Sequence, residues 1–328
     1  MRVAVSIVAV LALAGCFWLA REVAGSYLSA FLFCLALGLG SVALLLIHSL
    51  TGGTWGLQLR PSLLAAAQML PVLAVLLIPL LVGASHLFPW VGAAHSWYLN
   101  LPFFIGRSVV SFLAWLWLLY TVCRSARGSS AVAALALIVY LITTTAMAVD
   151  WVMSLAPGWH STVFGLIFCT TQVLIAAALA IATLHTRSTL GPDLGRLMLM
   201  LVLVWGYLVF MDYLTAWSAD LPDEVEWYWP RLRTRWEYLT VWVVVAGLIA
   251  PLAALLSGWV KRRYEVLRVV CLLILVTQAS YIVWLVLPSL HEDGWSLTWS
   301  DLLPWIGVGG LCWARFNTVH ERLARASQ

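Results

Sequence analysis

The sequence predicts an all-α, polytopic membrane protein. Hydrophobic residues make up 63% of its 328 residues and charged residues only 10%, with a mean hydropathy of +0.97. A soluble domain carries about 25% charged residues. The apolar runs are unbroken rather than alternating, which excludes a transmembrane β-barrel. The 20 tryptophans suit broad aromatic belts at the two membrane–water interfaces.

About ten apolar runs are long enough to cross a bilayer as helices, which takes roughly 17–25 residues. They cover about 3–20, 27–50, 62–82, 103–122, 130–150, 162–184, 196–218, 236–258, 265–287 and 300–318. Their connections are too short for a soluble domain, so residues 1–328 are expected to form one integral membrane domain. Pro71, Pro79 and Pro251 fall inside runs and predict bends, because proline removes a backbone hydrogen bond.

The basic residues predict the orientation, because Lys and Arg are enriched in cytoplasmic loops. Most of the 18 Lys and Arg residues lie on the side of the N-terminus. The opposite side carries Arg21, Arg231, Arg233 and Arg235, and Arg107 lies inside a span. Both termini are therefore expected on the cytoplasmic side. The net charge of +4 reflects this bias and gives no indication of nucleic-acid binding.

The first span has a second interpretation. Arg2, an apolar run and Leu13-Ala14-Gly15-Cys16 resemble a lipoprotein signal that ends at a lipidated cysteine. The run remains apolar through residues 17–20, however, and this favours a retained span.

Residues that would hold a redox centre are missing from the sequence. None of the six cysteines forms Cys-x-x-Cys, and all six lie in or beside apolar runs, where they are expected to be buried. A membrane haem needs imidazoles that face one another from within spans. The seven histidines lie at span ends or in connections: His48, His86, His95, His160, His185, His291 and His320. We therefore expect no haem, iron–sulfur cluster or metal in this chain.

Three ionisable residues lie at membrane depth, where charge is costly and usually functional or paired. Arg107, Asp150 and Asp212 all fall in the outer half of the predicted bilayer, and His160 opens the sixth span. One interpretation is a buried ion pair, for instance Arg107 with Asp150. The other is a single polar layer that binds a quinone headgroup or conducts protons. The candidate residues are Arg107, Asp150, His160, Ser161, Asp212 and Tyr213.

The longest outer connection, residues 219–234, combines acidic residues with Trp227, Tyr228 and Trp229. Aromatic side chains and arginine are common anchors of protein interfaces. We therefore expect these three aromatics to be exposed and to dock a partner, although an ordinary loop at headgroup level is the alternative.

Residues 150–165 read Asp-Trp-x-Met-Ser-Leu-x-Pro-x-Trp-x-Ser-Thr-x-x-Gly. This stretch resembles the signature of the ActF-type membrane subunit of bacterial alternative complex III, a quinol:cytochrome c oxidoreductase. ActF-type chains are similar to the NrfD-like membrane anchors of polysulfide reductase. Further landmarks in the family's order are Gly52-Gly53-x-Trp55, Tyr98-Leu99-Asn100-x-Pro102, Asp193-Leu194-Gly195-Arg196, Val260-Lys261-Arg262 and Trp284-Leu285-Val286-x-Pro288.

The resemblance implies two four-helix bundles, residues 27–150 and 162–288, flanked by helices at 3–20 and 300–318. It implies the bacterial inner membrane, an ActC-like sister subunit, an iron–sulfur subunit and c-type cytochrome subunits as partners, with haem and iron–sulfur clusters held only by those partners. This chain would complete the membrane core and assist quinone binding or proton translocation. One departure is Gln278, in a stretch where the family tends to carry ionisable residues. It puts a continuous proton route through the second bundle in doubt.

Two other functions fit the same residues. An NrfD-like anchor that oxidises quinol for another periplasmic redox complex would have the same spans. A secondary transporter would also combine intramembrane charge with broken helices.

Overall fold

The computed structural model describes residues 2–18, 22–92, 97–124, 130–184, 191–219, 222–291 and 298–326, which contain helices and turns but no strand. The α-helices are α1 (Arg2–Trp18), α2 (Ala24–Thr51), α3 (Thr54–Ala67), α4 (Leu70–Val82), α5 (Ala84–Leu87), α6 (Leu101–Arg124), α7 (Ser130–Trp151), α8 (Phe164–Ala182), α9 (Gly191–Ala219), α10 (Pro222–Arg233), α11 (Glu237–Val244), α12 (Ala250–Leu256), α13 (Gly258–Arg262), α14 (Tyr264–Val286) and α15 (Leu302–Ala326). Short 3-10 turns cover Met153–Leu155, Leu287–Ser289 and Trp299–Asp301, and a π-helical turn covers Val245–Ile249.

Eight helical segments of the described residues are long and apolar enough to cross a membrane. They are Ala24–Thr51, Thr54–Val82, Leu101–Arg124, Ser130–Leu155, Phe164–Ala182, Gly191–Ala219, Glu237–Leu256 and Tyr264–Ser289. These segments coincide with the second to ninth predicted spans, and they confirm an all-α, multi-pass membrane protein. α1 is a shorter apolar helix, and α15 is not among the eight. The count of ten therefore stays a prediction.

The centre of the molecule is the contact between α2 and α8, which are buried along most of their length. α3, α4, α6 and α7 pack around α2, whereas α7, α9 and α14 pack around α8. The two central helices cross closely at Gly40, where an added Cβ would lie 1.9 Å from the carbonyl oxygen of Gln172. Only glycine permits this approach of the two backbones.

The first and last helices pack on each other at the side of this core. Gly307 of α15 lies close to Leu13 of α1, and a Cβ added there would lie 2.9 Å from Leu13 Cδ2. α1 continues without interruption through Cys16, whose side chain is buried. α15 is tied to the core near its C-terminal end, where His320 Nε2 lies 3.1 Å from Ser62 Oγ. The terminal helices are therefore built into the fold.

Of the three predicted bends, those near Pro71 and Pro251 coincide with breaks in the α-helix, whereas α4 continues through Pro79 without a break. The third predicted span breaks at Gln68 and Met69, and Pro71 begins the second half in the first helical turn, where proline is tolerated. Ahead of Pro251 the helix opens into the π-helical turn Val245–Ile249. Such a turn accommodates a ring that lacks a backbone N–H.

Two sequence-based expectations are wrong. The connection at 219–234 was expected to be a loop, but it contains the helix α10. This helix begins at Pro222 and continues with Asp223 and Glu224, and proline followed by acidic residues is typical of a helix N-terminus. The cysteines are not all buried, because Cys123 near the end of α6 is exposed. The other five are buried free thiols.

The paired terminal helices give a sharp test of topology. With the orientation set by the Lys and Arg bias, ten spans place residue 328 in the cytoplasm. If α1 and α15 did not cross, the same eight inner spans would place it outside. We expect a reporter fused after Gln328 to behave like one inserted at 185–190, which the ten-span topology places in the cytoplasm. An outside location for Gln328 with a cytoplasmic 185–190 would contradict ten spans.

Candidate functional site

Residues 150–165, here called the signature segment, connect α7 to α8 and so join the first half of the chain, α1 to α7, to the second half, α8 to α15. Asp150 lies at the end of α7, the 3-10 turn Met153–Leu155 follows, and Phe164 begins α8. The Ser154 hydroxyl donates to the Asp150 carbonyl oxygen at 2.5 Å and stabilises the end of α7. The indole of Trp151 donates to Ser108 Oγ of α6 at 3.1 Å. The segment is therefore held against the first half before the chain enters α8.

Arg107 and Asp150 form a bidentate ion pair between α6 and α7. Arg107 Nε donates to Asp150 Oδ2 at 2.6 Å, and Nη2 donates to Oδ1 at 3.0 Å. Asp150 is 0% exposed and Arg107 14%. The remaining terminal nitrogen donates to the Tyr98 carbonyl oxygen at 3.0 Å, and the guanidinium carbon lies 4.0 and 4.3 Å from the ring centres of Tyr98 and Phe103. Both charges are thus compensated, which supports the ion-pair interpretation.

Asp212 of α9 has a different environment. Its Oδ1 accepts a hydrogen bond from Ser161 Oγ at 2.5 Å, and its Oδ2 accepts one from the Tyr228 hydroxyl at 3.1 Å. Within the described part of the chain, no cation lies within ion-pair distance of this carboxylate. Burial raises the pKa of Tyr228 far above its ordinary value of 10.0, and the charge of Asp212 raises it further. The phenol therefore keeps its proton and acts as a donor.

These residues form two separate clusters rather than the one connected layer of the second sequence-based interpretation. Asp150 belongs to the Arg107 pair, whereas Ser161 belongs to the Asp212 cluster, so residues 150–165 supply one member to each. His160 is exposed, and its Nδ1 lies 3.1 Å from the Gly158 carbonyl oxygen. The separation follows from helix geometry, because Asp150 faces α6 and Ser161 faces α9 and α10.

Tyr213 and His160 lie at the margin of the Asp212 cluster. The ring of Tyr213 contacts that of Tyr228 with centroids 5.4 Å apart, and 38% of Tyr213 is exposed. Neither Tyr213 nor His160 hydrogen-bonds to Asp212 in the described structure. The hydrogen-bonded cluster around Asp212 therefore consists of Ser161, Asp212 and Tyr228.

The three aromatics of α10 were expected to be exposed, which is wrong for two of them. Trp227 and Tyr228 are each 7% exposed, whereas Trp229 is 47% exposed. Trp227 stacks on Trp159 of the signature segment at 4.1 Å with an interplanar angle of 10°. α10 lies against the protein with one face buried, so consecutive residues point in different directions.

Arg231 is a buried residue whose role the sequence reading missed. It is 1% exposed, and its guanidinium lies 3.5 Å from the centre of the Trp227 ring. It donates to the carbonyl oxygens of Trp284 and Leu285 at 3.2 and 3.0 Å, near the end of α14. A cation there satisfies free carbonyls and complements the helix dipole. The spacing of Trp227 and Arg231, four residues apart, could have predicted this contact, because residues i and i+4 lie on the same face of a helix.

A cavity of about 500 Å³ lies beside this arginine, between the turn at 155–159, α10 and the 3-10 turn after α14. Its charged and hydroxyl-bearing lining residues are Glu226, Arg231, Arg233, Thr234 and Ser289. It lies at the junction of the two halves and is lined by the signature segment.

Gln278 of α14 is fully buried, and neither its Oε1 nor its Nε2 has a hydrogen-bond partner in the described structure. The indole nitrogen of Trp205 on α9 is also buried without a partner there. Buried amides of this kind usually bind ordered water. Because an amide does not titrate, Gln278 cannot itself carry a proton.

Comparison with protein-family models found no match, and comparison with curated proteins found none either. Within the described residues, no group of three or more His, Cys, Asp or Glu side chains lies close enough to hold a metal ion.

Proposed function

We propose that this chain is a membrane subunit of a respiratory quinol:cytochrome c oxidoreductase of the alternative complex III type. The observation that carries the proposal is the signature segment at 150–165, which contributes Asp150 and Ser161 to two separate polar clusters. This role in two clusters explains why a charged residue, Asp150, and a hydroxyl residue, Ser161, flank the turn between the apolar helices α7 and α8. The chain completes the membrane core, and electron transfer belongs to its partners.

The proposed architecture has ten spans in two four-helix bundles. α2, α3 with α4, α6 and α7 form the first, and α8, α9, α11 with α12, and α14 form the second. The mutual contacts of these helices support the grouping, and the close crossing of α2 and α8 joins the bundles. α1 and α15 flank the first bundle as a pair.

The two clusters have different proposed roles. The Arg107–Asp150 pair fixes α6 against α7, because each charge already has its partner. The cluster of Ser161, Asp212 and Tyr228 is the part suited to chemistry. A carboxylate held by two hydroxyl groups can accept a proton from a quinol hydroxyl or from water, and the hydroxyls can reorient as it does so.

The proposed partners are an ActC-like sister membrane subunit, an iron–sulfur subunit and c-type cytochrome subunits. Those partners hold the haem groups and iron–sulfur clusters, whereas this chain holds neither. The cavity beside Arg231 is a proposed docking site for an outer subunit, and the exposed Trp229 borders it.

Copurification tests the proposal. A mild-detergent preparation through a tag on this chain should contain a multihaem c-type cytochrome, an iron–sulfur subunit and a second multi-pass membrane subunit. Absorption bands of reduced c-type haem should follow the tag through gel filtration. If the chain isolates with an iron–sulfur partner but no cytochrome, the NrfD-like anchor is the better assignment. Isolation alone would reject both, and binding of a small solute would then favour a transporter.

Glu226 gives a test of the docking cavity. Glu226→Lys reverses a charge in the cavity lining, so we expect weaker association with the outer subunits. Glu224→Lys, on the same helix but outside that lining, is the matched control. Subunit ratios after purification provide the measurement. Equal ratios in both variants would remove this cavity from the interface.

A further inference from the structure

A second cavity, of about 390 Å³, lies on the other side of α10, against the end of α9. Its wall includes Tyr213, Trp217, Trp229, Leu232 and Arg233. Tyr228 forms part of the wall, but its hydroxyl is already engaged with Asp212. The cavity therefore has aromatic and aliphatic walls and one cation, Arg233, whose guanidinium carbon lies 5.1 Å from the centre of the Trp229 ring.

Two observations indicate that this cavity lies at the membrane–water interface. It lies where α9, a helix long and apolar enough to cross a membrane, ends at Ala219 and where α10 begins. Trp217 is 67% exposed and Trp229 47% exposed, and tryptophan concentrates at the headgroup level of a bilayer.

An exposed apolar stripe continues from the cavity along α9 into the membrane. Leu203, Tyr207, Phe210 and Trp217 recur three, four or seven residues apart on one face, each at least 47% exposed. A lipid could therefore place its headgroup in the cavity and its acyl chains along the exposed apolar face of α9.

We propose that this cavity binds the anionic headgroup of a membrane phospholipid, whose acyl chains lie along the stripe on α9. Charge complementarity selects an anionic headgroup. Arg233 supplies a positive charge, and no carboxylate of the described residues lies within ion-pair distance of it. Arg233 borders both cavities, but Glu226 lines only the first, so no acidic residue in the described part of the chain lines this one. The continuous stripe into the membrane favours a lipid over a peptide. The inference does not depend on the proposed respiratory role.

The test uses the purified, delipidated protein with its copurifying partners. Phosphatidylglycerol and phosphatidylcholine with the same acyl chains are titrated in turn, and bound lipid is counted by native mass spectrometry. Arg233→Gln is the test variant. Arg235→Gln is the matched control, since Arg235 is exposed two residues away and does not line the cavity.

We expect the native protein and Arg235→Gln to bind phosphatidylglycerol more tightly than phosphatidylcholine. In Arg233→Gln, phosphatidylglycerol should bind about five- to tenfold more weakly, because one arginine near the surface contributes about that much to anionic-lipid binding. Equal affinity for the two lipids in the native protein would overturn the proposal. So would an equal loss in both variants, or loss of a protein subunit from Arg233→Gln with lipid binding unchanged, which would assign the cavity to a protein partner.

Discussion

Replacing Asp150 with leucine is expected to destabilise the folded protein by about 3–5 kcal/mol. The substitution leaves Arg107, which is only 14% exposed, with the Tyr98 carbonyl oxygen and two aromatic rings but without its carboxylate, so a largely desolvated charge loses its counter-ion. Asp150→Asn should cost a similar amount, because an amide accepts one of the two hydrogen bonds but carries no charge. Arg107→Met should be equally damaging, since it leaves a fully buried carboxylate. Thermal unfolding of the purified protein in detergent measures these losses.

The double variant Arg107→Met with Asp150→Leu tests whether the two residues stabilise the protein as an ion pair or independently of each other. If the charges serve each other, the double variant should recover much of the single-variant loss. Asp193→Asn is the control, because the Arg196–Asp193 pair on α9 is exposed and worth about 0–1 kcal/mol. Additive losses in the double variant would contradict a mutually compensated pair.

Gly40→Ala is expected to give the second largest effect. The new Cβ would lie 1.9 Å from the carbonyl oxygen of Gln172 and 2.4 Å from its carbonyl carbon, both backbone atoms of α8. Neither can move without shifting the helix that most of the molecule packs against. Overpacking costs roughly 1–3 kcal/mol where side chains can adjust, and more is expected here.

Gly38→Ala on the same helix is the matched control. Its Cβ would meet Leu70 Cδ2 at 3.2 Å, the end of a flexible side chain that can rotate away. We expect Gly38→Ala to fold and insert nearly normally, whereas Gly40→Ala should lose yield and unfold at a lower temperature. Equal melting temperatures for the two variants would contradict the close crossing of α2 and α8.

The sequence predicted the spans well because a membrane imposes a simple rule. A helix must be apolar for about 20 residues, and the runs that satisfy the rule coincide with eight helices of the structure. The pairing of Arg107 with Asp150 was also anticipated, since two opposite charges at one depth have few other ways to be satisfied. The bends near Pro71 and Pro251 followed from the missing N–H of proline.

Contacts that depend on direction around a helix were harder to predict. Composition alone made 219–234 an exposed connection, whereas α10 turns Trp227 and Arg231 inward and Trp229 outward. Uniformly apolar helices such as α2 and α14 carry little information about which face meets which neighbour. For that reason one interpretation of the sequence placed Asp150 and Asp212 in one layer, whereas the structure gives them different partners.

The central proposal is that Asp212, and not Asp150, is the proton-accepting carboxylate of this chain. In Asp212→Asn, one of the two hydroxyl partners can reverse its hydrogen bond, so the amide is satisfied and assembly should be retained. The proton-accepting group is nevertheless lost. Asp193→Asn, in the first turn of the same helix, controls for a change of net charge.

The most direct test is quinol:cytochrome c activity, with proton release, of purified complex carrying Asp212→Asn. We expect a fully assembled complex with turnover reduced at least tenfold, because a positioned acid–base group contributes about 10²–10⁴ to a rate. Asp193→Asn should retain native turnover. Native turnover in a fully assembled Asp212→Asn complex would contradict the claim and leave this cluster with a structural role alone.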